Sequence, residues 1–493
     1  MTTPEKTTPD RNRWIALYVL CTGMLMIVLD ATVVNVALPS IQDDLGFSQS
    51  SLAWVVNAYL IAFGGLLLLA GRLGDLIGRR NIFIAGLALF SAASLLCGAA
   101  QSQGMLVATR FVQGIGGAMT SAVILGMIVT MFPEPREQAK AMGVFAFVAS
   151  TGGSIGLLAG GILTQLINWH WIFFVNIPIG VVTTFLALRV VKGDKGIGFA
   201  DGADVPGAVL ITSALMLSVY TIVKPAADDG WGASRTLELG AVSLVLLGLF
   251  ILREARVHNP LMPLRVFRSR NVSGANLTQV LSVAGMFGVF FLGALYLQRI
   301  LGYDPLEIGL AFLPVNVVMG TMSLRYSEKL IMRFGARRML LAGLPMIAAA
   351  LLLFTQAPVH GNYLEHVFPV MALLGLGAGT AFPSLMTLTM SGATMEDAGL
   401  VSGLAVTSPQ VGGAIGLAVL ATLSTTRTHH LLATGTSRLE ALNSGYHLAY
   451  WIAAGLVLAA IAVAAIVLEP AEQAAAEIQQ EQAGAGEAVA EAA

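Results

Sequence analysis

The stretch GRLGDLIGRR, at 71–80, lies between two long apolar runs at 52–71 and 81–101. Its spaced glycines permit a tight turn and close approach between helices, and Asp75 can engage a helix N-terminus. A loop that only carried positive charge to one side of a membrane would need neither the glycines nor the aspartate. We therefore interpret 71–80 as a specific link between two membrane-spanning helices. Its candidate functional residues are Gly71, Asp75, Gly78, Arg79 and Arg80.

The composition around this link predicts an all-α membrane protein. Of the 493 residues, 56% are hydrophobic and 11% are charged, whereas soluble domains carry about 25% charged residues. Apolar runs of about twenty residues, long enough to cross a ~30 Å hydrocarbon layer, recur along the chain. The short alternating segments of a transmembrane barrel are absent from the sequence. The fourteen predicted spans are 14–38, 52–71, 81–101, 105–131, 139–166, 171–191, 204–224, 236–255, 272–300, 307–328, 337–356, 364–390, 399–425 and 447–468.

The distribution of Lys and Arg predicts the orientation of these spans. With the N-terminus in the cytoplasm, the loops on that side hold far more Lys and Arg than the opposite loops. Basic residues concentrate on the cytoplasmic side of membrane proteins. We therefore predict that both termini are cytoplasmic. The expected location of the chain is the cell membrane, plasma or inner.

Weak internal copies divide the chain into two parallel halves, an arrangement known from membrane transporters. The copies lie 257–261 residues apart. Six helices of this length need only about 180–200 residues at 1.5 Å per residue plus loops, so there is room for two inserted helices. TGGSIGL at 151–157 recurs as VGGAIGL at 411–417, GRR at 78–80 as GARR at 335–338, and Gly114 as Gly375.

These offsets predict two pseudo-symmetric six-helix bundles with two helices between them. We treat the Ala- and Glu-rich C-terminal segment as a solvated tail. The predicted units are a cytoplasmic N-terminus at 1–13, a first bundle at 14–191, a linker with two inserted helices at 192–271, a second bundle at 272–468 and an acidic tail at 469–493.

Asp30 and Arg110 are the charged residues that the spans carry deepest. Asp30 lies sixteen residues beyond Trp14, or about 24 Å along a helix, and Arg110 lies near the start of the fourth span at a similar depth. An intramembrane carboxylate costs several kcal/mol unless it is paired or hydrated, and it marks an ion or substrate pathway. Pairing favours the charged carboxylate while burial favours the neutral acid, so small movements could load and unload a proton. A static buried salt bridge is the alternative.

Two further groups of residues are candidates for packing and for cargo binding. Small residues at helical spacing let helices approach closely, and Met and aromatic side chains form an adaptable apolar wall. For the second group, contact with lipid or with helix partners is the alternative. The packing ridge is Gly152, Gly156, Gly160 and Gly161, and the cavity candidates are Met26, Tyr59, Phe287, Phe290, Phe291 and Asn316.

Other function classes lack their sequence signatures. There is no GxxxxGK[ST] phosphate loop, and the seven His residues show neither HExxH nor a metal-ligand spacing. Cys21 and Cys97 lie in apolar runs, which argues against a disulfide framework. The net charge is −1, and the sequence has no basic patch that would attract nucleic acid. We predict no enzyme activity, no cofactor, no metal and no nucleic-acid partner.

Four motifs resemble those of the major facilitator superfamily, specifically its fourteen-helix drug:proton antiporters of the EmrB/QacA type. GRLGDLIGRR at 71–80 is similar to the superfamily's loop between helices two and three. LDATVVNVALP at 29–39, RFVQGIGGA at 110–118 and WHWIFFVNIPIG at 169–180 resemble segments of the first, fourth and sixth helices. The likeness covers nearly the whole chain except the acidic tail.

The resemblance implies roles for individual residues. Asp30 and Arg110 would serve proton coupling, and Asp75 with Arg79 would form a cytoplasmic latch between conformations. The chain departs from the antiporter pattern at Leu157, which stands where the fifth helix usually has proline. The proline kink that the pattern associates with sealing an antiporter against leak is therefore not expected here.

We accordingly predict proton-coupled efflux of small lipophilic molecules, neutral or singly cationic, by alternating access within the lipid bilayer. A dedicated exporter of one natural product or lipid is the first alternative. A proton symporter and a membrane sensor that has lost transport are further alternatives. The retained Asp30 and Arg110 argue against the sensor.

Overall fold

The computed structural model describes residues 9–132, 134–193, 196, 204–257, 260–393, 398–471 and 473–474. The first eight residues of the predicted N-terminal segment and most of the predicted tail at 469–493 lie outside the described residues. Within the described ranges, seventeen α-helices follow one another along the chain.

The first half of the chain forms seven of these helices. The first helix extends past its predicted span at both ends, because polar turns continue the helix beyond its apolar core. The helices are α1 (Pro9–Leu45), α2 (Gln49–Ile77), α3 (Arg79–Gly98), α4 (Gln103–Met131), α5 (Pro135–Leu166), α6 (Trp171–Phe174) and α7 (Asn176–Val190).

The inserted hairpin and the second half follow. The hairpin consists of α8 (Val205–Val223), the short α9 (Pro225–Asp228) and α10 (Ser234–Glu254). The second half contains α11 (Arg270–Arg299), α12 (Pro305–Thr321), α13 (Glu328–Phe334), α14 (Ala336–Phe354), α15 (Phe368–Ser391), α16 (Ala398–Ala433) and α17 (Arg438–Ile466).

Thirteen helical segments among the described residues are long and apolar enough to cross a membrane. The remaining predicted span, at 139–166, lies within the 32-residue helix α5, whose segment Ile155–Leu166 is apolar. α5 runs through Leu157 as one continuous helix, consistent with a residue that removes no backbone hydrogen bond.

Contacts between helices divide the molecule into two bundles. α1 packs on α5 and α7, and α4 packs between α2 and α3; correspondingly, α11 packs on α16 and α17, and α15 on α12 and α14. The bundles meet along α2 against α16 and α5 against α12. The inserted hairpin covers one of these seams, because α8 contacts both α2 and α16.

Two helices predicted as continuous are interrupted. The segment predicted at 171–191 breaks between α6 and α7 at Val175. The segment predicted at 307–328 passes through a π-helical turn at Met322–Ser327 before α13. Such turns reset which side chains face a neighbouring helix, and they are often found at functional sites.

Glycines with positive φ define the two ends of the bundles. Gly46, with φ of 68°, ends α1, while Gly78 and Gly335, with φ of 109° and 83°, lie in equivalent loops at the opposite end. L-residues with a side chain rarely adopt such φ values. We call these faces of the molecule the Gly46 end and the Gly78 end.

Candidate functional site

Glycines on α4 bring a polar segment of that helix into the middle of the first bundle. A Cβ on Gly114 would lie 2.5 Å from the carbonyl oxygen of Tyr59 on α2, and one on Gly116 would lie 2.5 Å from the backbone nitrogen of Phe90 on α3. Without these side chains, α4 approaches both neighbours at backbone distance. Arg110 lies one turn before Gly114 and is thereby placed opposite α1.

Asp30, Arg110, Gln113 and Asn176 form a cluster that we call the buried acid–base cluster. Nη1 of Arg110 lies 2.5 Å from Oδ2 of Asp30, and the two side chains are 1% and 0% exposed. Nε2 of Gln113 and Nδ2 of Asn176 donate to Oδ1 of Asp30 at 2.7 and 3.0 Å. Both carboxylate oxygens of Asp30 therefore accept hydrogen bonds. The predicted contact between Asp30 and Arg110 is present, and its role in proton coupling stays a prediction.

The guanidinium of Arg110 is held on several sides. Its Nη1 also donates to Oε1 of Gln113 at 2.7 Å, and its Nε donates to the carbonyl oxygen of Val55 at 2.9 Å. Its central carbon lies 4.5 Å from the centroid of the Tyr59 ring and 5.7 Å from that of Phe173. Cation–π contacts of this kind strengthen when water is excluded.

This arrangement ties the charge of Asp30 to helix position. A buried ion pair is held by attraction and hydrogen bonds that must offset the desolvation of both charges. A proton that binds Asp30 removes its negative charge and so weakens the attraction that holds Arg110, Gln113 and Asn176 at the two carboxylate oxygens. Because these partners lie on α4 and α7, neutralising Asp30 would loosen the contacts of α1 with both helices.

Gln113, Asn176 and Ser94 were not predicted as parts of this site. Ser94 on α3 accepts a hydrogen bond from Nε2 of Gln113 at 2.8 Å. Gln113 follows Arg110 by three residues, so the helical period placed it on the same face as Arg110. Asn176 is the first residue of α7, directly after the break at Val175. Gln113 could have been predicted, because it is a polar residue on the same face of the fourth span as Arg110.

The link at 71–80 is held against the first bundle. Oδ1 of Asp75 pairs with Nη2 of Arg79 at 2.9 Å, and Nη1 of Arg79 donates to the carbonyl oxygen of Gly126 on α4 at 3.1 Å. Nη2 of Arg80 donates to the carbonyl oxygen of Leu188 at the end of α7. The side chains of Arg79 and Asp75 are 31% and 41% exposed. Their predicted function as a latch remains untested.

Three of the four predicted ridge glycines face the first helix of their own bundle. A Cβ on Gly152 would lie 3.0 Å from Leu25, and one on Gly160 would lie 2.8 Å from the carbonyl oxygen of Val33. Gly156 lies directly against Thr32. The fourth glycine, Gly161, faces the other bundle, since its Cβ would lie 2.8 Å from the carbonyl oxygen of Pro305 on α12.

The six predicted cavity residues occupy different surroundings. Met26 is fully buried and lies beside Gly180 on α7, and Phe291 is 1% exposed inside the second bundle. Phe287 lies against Gly413, and the ring centroid of Phe290 is 5.7 Å from that of Phe312. The structure does not bring all six side chains to one place.

The remaining two, Tyr59 and Asn316, have buried polar atoms with no hydrogen-bond partner in the described part of the chain. These atoms are the Tyr59 hydroxyl and Nδ2 of Asn316. Asn316 is 9% exposed, and its Oδ1 would lie 3.3 Å from a Cβ on Gly153 of the first bundle. Leaving such a group unsatisfied costs about 1–3 kcal/mol. Both atoms are therefore suited to contact a further polar group.

Polar contacts join the two bundles at the Gly46 end. Arg299 on α11 forms an ion pair with Asp43 on α1. Gln49 donates to Ser424 at 3.0 Å. At the second seam, Gln165 on α5 donates to Asp304 at 2.9 Å, beside the start of α12. The bundles are thus tied together at this end along both seams.

Comparisons with known proteins agree with this architecture. The family model of the Major Facilitator Superfamily matches residues 20–417. The puromycin resistance protein pur8 of Streptomyces alboniger is 38% identical over 473 residues, covering 95% of this chain and 93% of the relative. The cephamycin export protein CmcT of Amycolatopsis lactamdurans is 37% identical over 421 residues, covering 85% and 86%.

A solved structure gives the same fold. The bacterial homologue of the human lysosomal transporter Spinster, in an inward-facing and unoccupied conformation, superimposes with a TM-score of 0.65 at 16% identity, covering 95% of this chain and 98% of that one. The predicted fold class and family resemblance are thereby confirmed. The chain belongs to the Major Facilitator Superfamily and is a multi-pass membrane transporter, not an enzyme.

Proposed function

We propose that this transporter exports small lipophilic molecules and that protons binding at Asp30 drive the export. The observation that carries the proposal is the buried acid–base cluster, in which a fully buried carboxylate is paired with Arg110. Moving one charge through the membrane potential is worth ~2.3 kcal/mol per 100 mV. Proton entry is therefore an adequate energy source for a chain whose sequence lacks a nucleotide-binding loop.

The names of the relatives support export as the direction of transport. One relative is a puromycin resistance protein and another is a cephamycin export protein, and each aligns with most of this chain. The second name states export, and resistance to a compound is one consequence of removing it from the cell. We extend that direction to this transporter.

The coupling step follows from the contacts of Asp30. With the Gly78 end in the cytoplasm, as the excess of Lys and Arg there favours, the Gly46 end faces outward and is tied shut by Arg299 and Asp43. When that contact is broken and the Gly46 end is open, a proton reaching Asp30 from outside would free Arg110 and loosen α1 from α4 and α7. This loosening would release cargo outward, and renewed closure of the Gly46 end through Asp43 and Arg299 would then carry the proton on Asp30 toward the cytoplasm.

Cargo would contact apolar side chains together with the Tyr59 hydroxyl or Nδ2 of Asn316, which have no hydrogen-bond partner among the described residues. A hydrogen-bonding group on an otherwise lipophilic molecule matches this combination. With a single deep acid at Asp30, neutral or singly cationic molecules fit better than dications. The Asp75–Arg79 pair would bias the two conformations from the Gly78 end.

Everted membrane vesicles test the coupling directly. Cargo added to vesicles with a preformed proton gradient should dissipate the gradient, and Asp30→Asn should abolish this response while cargo binding persists. Asp228→Asn is the matched control, since Asp228 is exposed and lies outside the cluster. Undiminished cargo-driven proton flux in a correctly inserted Asp30→Asn protein would refute the proposal.

A dedicated exporter of one natural product is the second candidate function. It is favoured by the relatives, because the names puromycin resistance protein and cephamycin export protein each specify a single compound or compound class. A panel of chemically unrelated lipophiles in the same vesicle assay separates the two. Responses to one chemical class only would support the dedicated exporter, and responses across classes would support a multidrug range.

A further inference from the structure

Two buried carboxyl groups lie together at the base of the inserted hairpin, away from the buried acid–base cluster. Asp204 precedes α8 and Glu254 is the last residue of α10, and they are 4% and 3% exposed. Oδ1 of Asp204 accepts hydrogen bonds from the backbone nitrogen of Gly207 at 3.0 Å and from Nε of Arg253 at 2.7 Å. Oε2 of Glu254 accepts a hydrogen bond from the backbone nitrogen of Met262 at 2.7 Å.

The other oxygen of each carboxyl group has no donor. Oδ2 of Asp204 and Oε1 of Glu254 are buried without a hydrogen-bond partner among the described residues. Both crowd the position that a Cβ on Gly207 would occupy, and the two carboxyl groups lie within hydrogen-bonding reach of each other. Two acceptors that face each other in a buried place repel unless one of them carries a proton.

The local charges do not balance if both groups are ionised. Among the described residues, the charged groups that act on Glu254 are Asp204 and Arg253. One guanidinium therefore faces two carboxyl groups. The ionised form of Asp204 is stabilised more than that of Glu254, because Asp204 pairs with Arg253 and caps the N-terminus of α8, where negative charge is favoured. Glu254 has only a neutral N–H donor.

We propose that Glu254 and Asp204 hold one proton between them, forming a proton-binding site separate from the one proposed at Asp30. The proton resides on Oε1 of Glu254 and is donated to Oδ2 of Asp204, so a single O–H satisfies both unpartnered oxygens. It comes from water and returns to water, with no other bond made or broken. Gly207 supplies the space in which the two oxygens meet.

The proton on Glu254 also controls a contact between the bundles. Met262, which donates its N–H to Glu254, packs on a small apolar cluster that includes Val272 on α11 and Leu404 on α16. Leu68 of α2, in the first bundle, packs on the same cluster. Loss of the proton would make the two carboxylates repel, displace Glu254 and release Met262. The protonation state of the hairpin is thereby transmitted to the seam between α2 and α16.

Infrared difference spectroscopy on the purified full-length transporter tests the shared proton. As the pH is raised, the wild-type protein should lose a carbonyl band of a protonated carboxylic acid. That band should be absent from Glu254→Gln and retained in Asp30→Asn. Glu238→Gln is the matched control, because Glu238 lies exposed on the same helix. A spectrum in which Glu254→Gln removes no carboxylic-acid band would overturn the proposal.

Hydrogen exchange at Met262 tests the release of this residue, and its first measurement uses the wild-type protein alone. In the wild-type protein, protection of this amide should be lost as the pH rises, beyond the intrinsic change in exchange rate. Glu254→Gln should keep the amide protected throughout, because its side-chain amide both accepts from Met262 and donates to Asp204 without titrating. Protection that does not change with pH in the wild-type protein contradicts the proposal, as does a Glu254→Gln protein that titrates like the wild type.

Discussion

Gly116 on α4 and Gly377 on α15 occupy equivalent places in the two halves, 261 residues apart. A Cβ on Gly116 would lie 2.9 Å from the carbonyl oxygen of Gly86, and one on Gly377 would lie 2.8 Å from that of Gly343. The same pair of helices therefore approaches at the same backbone distance in both bundles. This close packing belongs to the duplicated fold.

The charges in these helices are not duplicated. The offset that relates Gly116 to Gly377 relates Arg110 to Met371 and Gln113 to Leu374, and both second-half residues are fully buried and apolar. α11, the counterpart of α1, contains no Asp or Glu. One fold therefore meets two separate demands. Helix packing is needed in both bundles, whereas the proposed proton chemistry needs a buried acid in only one.

Replacing Arg110 by Met, the second-half residue, should have the largest effect. Asp30 would remain buried without its cation, and breaking a buried ion pair from one side costs about 3–5 kcal/mol. We expect little correctly folded Arg110→Met protein in the membrane and no cargo-driven proton flux. Quantitative detection of the inserted protein and the everted-vesicle assay measure the two effects separately.

The double variant Asp30→Asn with Arg110→Met distinguishes stability from function. Removing both charges should restore much of the inserted protein, because no unpaired charge stays buried, but transport should remain absent. Met371→Leu is the matched control and should retain both. Recovery of proton-coupled transport in the double variant would contradict a role for this pair in coupling and would make it a static salt bridge.

Alanine at Gly116 and at Gly377 should have intermediate and similar effects. Each added Cβ meets backbone atoms that cannot move aside easily, and overpacking of this kind costs about 1–3 kcal/mol. We expect both variants to unfold at lower temperature in detergent by comparable amounts. Gly104→Ala on α4 is the control, because a Cβ there meets no atom within 4 Å. A large effect at one glycine alone would show that the two interfaces are not equivalent.

Much of the fold could be predicted from hydropathy and repeat offsets, because the bilayer requires long apolar helices. The interruptions at Val175 and at Met322–Ser327 could not be predicted in this way. Hydropathy averages over about one helix length, so it does not register a local change in backbone hydrogen bonding. The helix ends extended past several predicted spans for a related reason, since polar turns continue a helix outside the hydrocarbon.

Of the buried acid–base cluster, the two charged residues could be predicted from the sequence. The depth of Asp30 and Arg110 along their helices was enough to predict their contact. The contributions of Gln113 and Asn176 depend on the rotation of α4 and on where α7 begins. Both depend on packing against other helices, and a single sequence contains no direct measure of that packing.

The smallest effect on stability is expected at the loop that differs between the halves. An offset of 257 residues relates Gly78 to Gly335 and Arg80 to Arg337, and each of these arginines donates to a carbonyl oxygen near the end of a later helix. The ion pair of Asp75 has no counterpart, because the equivalent residue is Met332, which is 82% exposed. The first loop therefore carries a charge that the duplicated structure does not require.

Asp75→Asn should consequently separate folding from transport. Partly exposed ion pairs of this kind contribute about 0–1 kcal/mol, so the unfolding temperature should barely change. Transport should nevertheless slow by about tenfold if Asp75 biases the two conformations by a typical coupling free energy. Met332→Asn, at the equivalent place in the second half, should leave both quantities unchanged. Equal slowing by the two variants would assign the effect to loop polarity and would contradict a latch role for Asp75. Slowing by Asp75→Asn alone would place the conformational bias in the first half, together with the proposed proton chemistry.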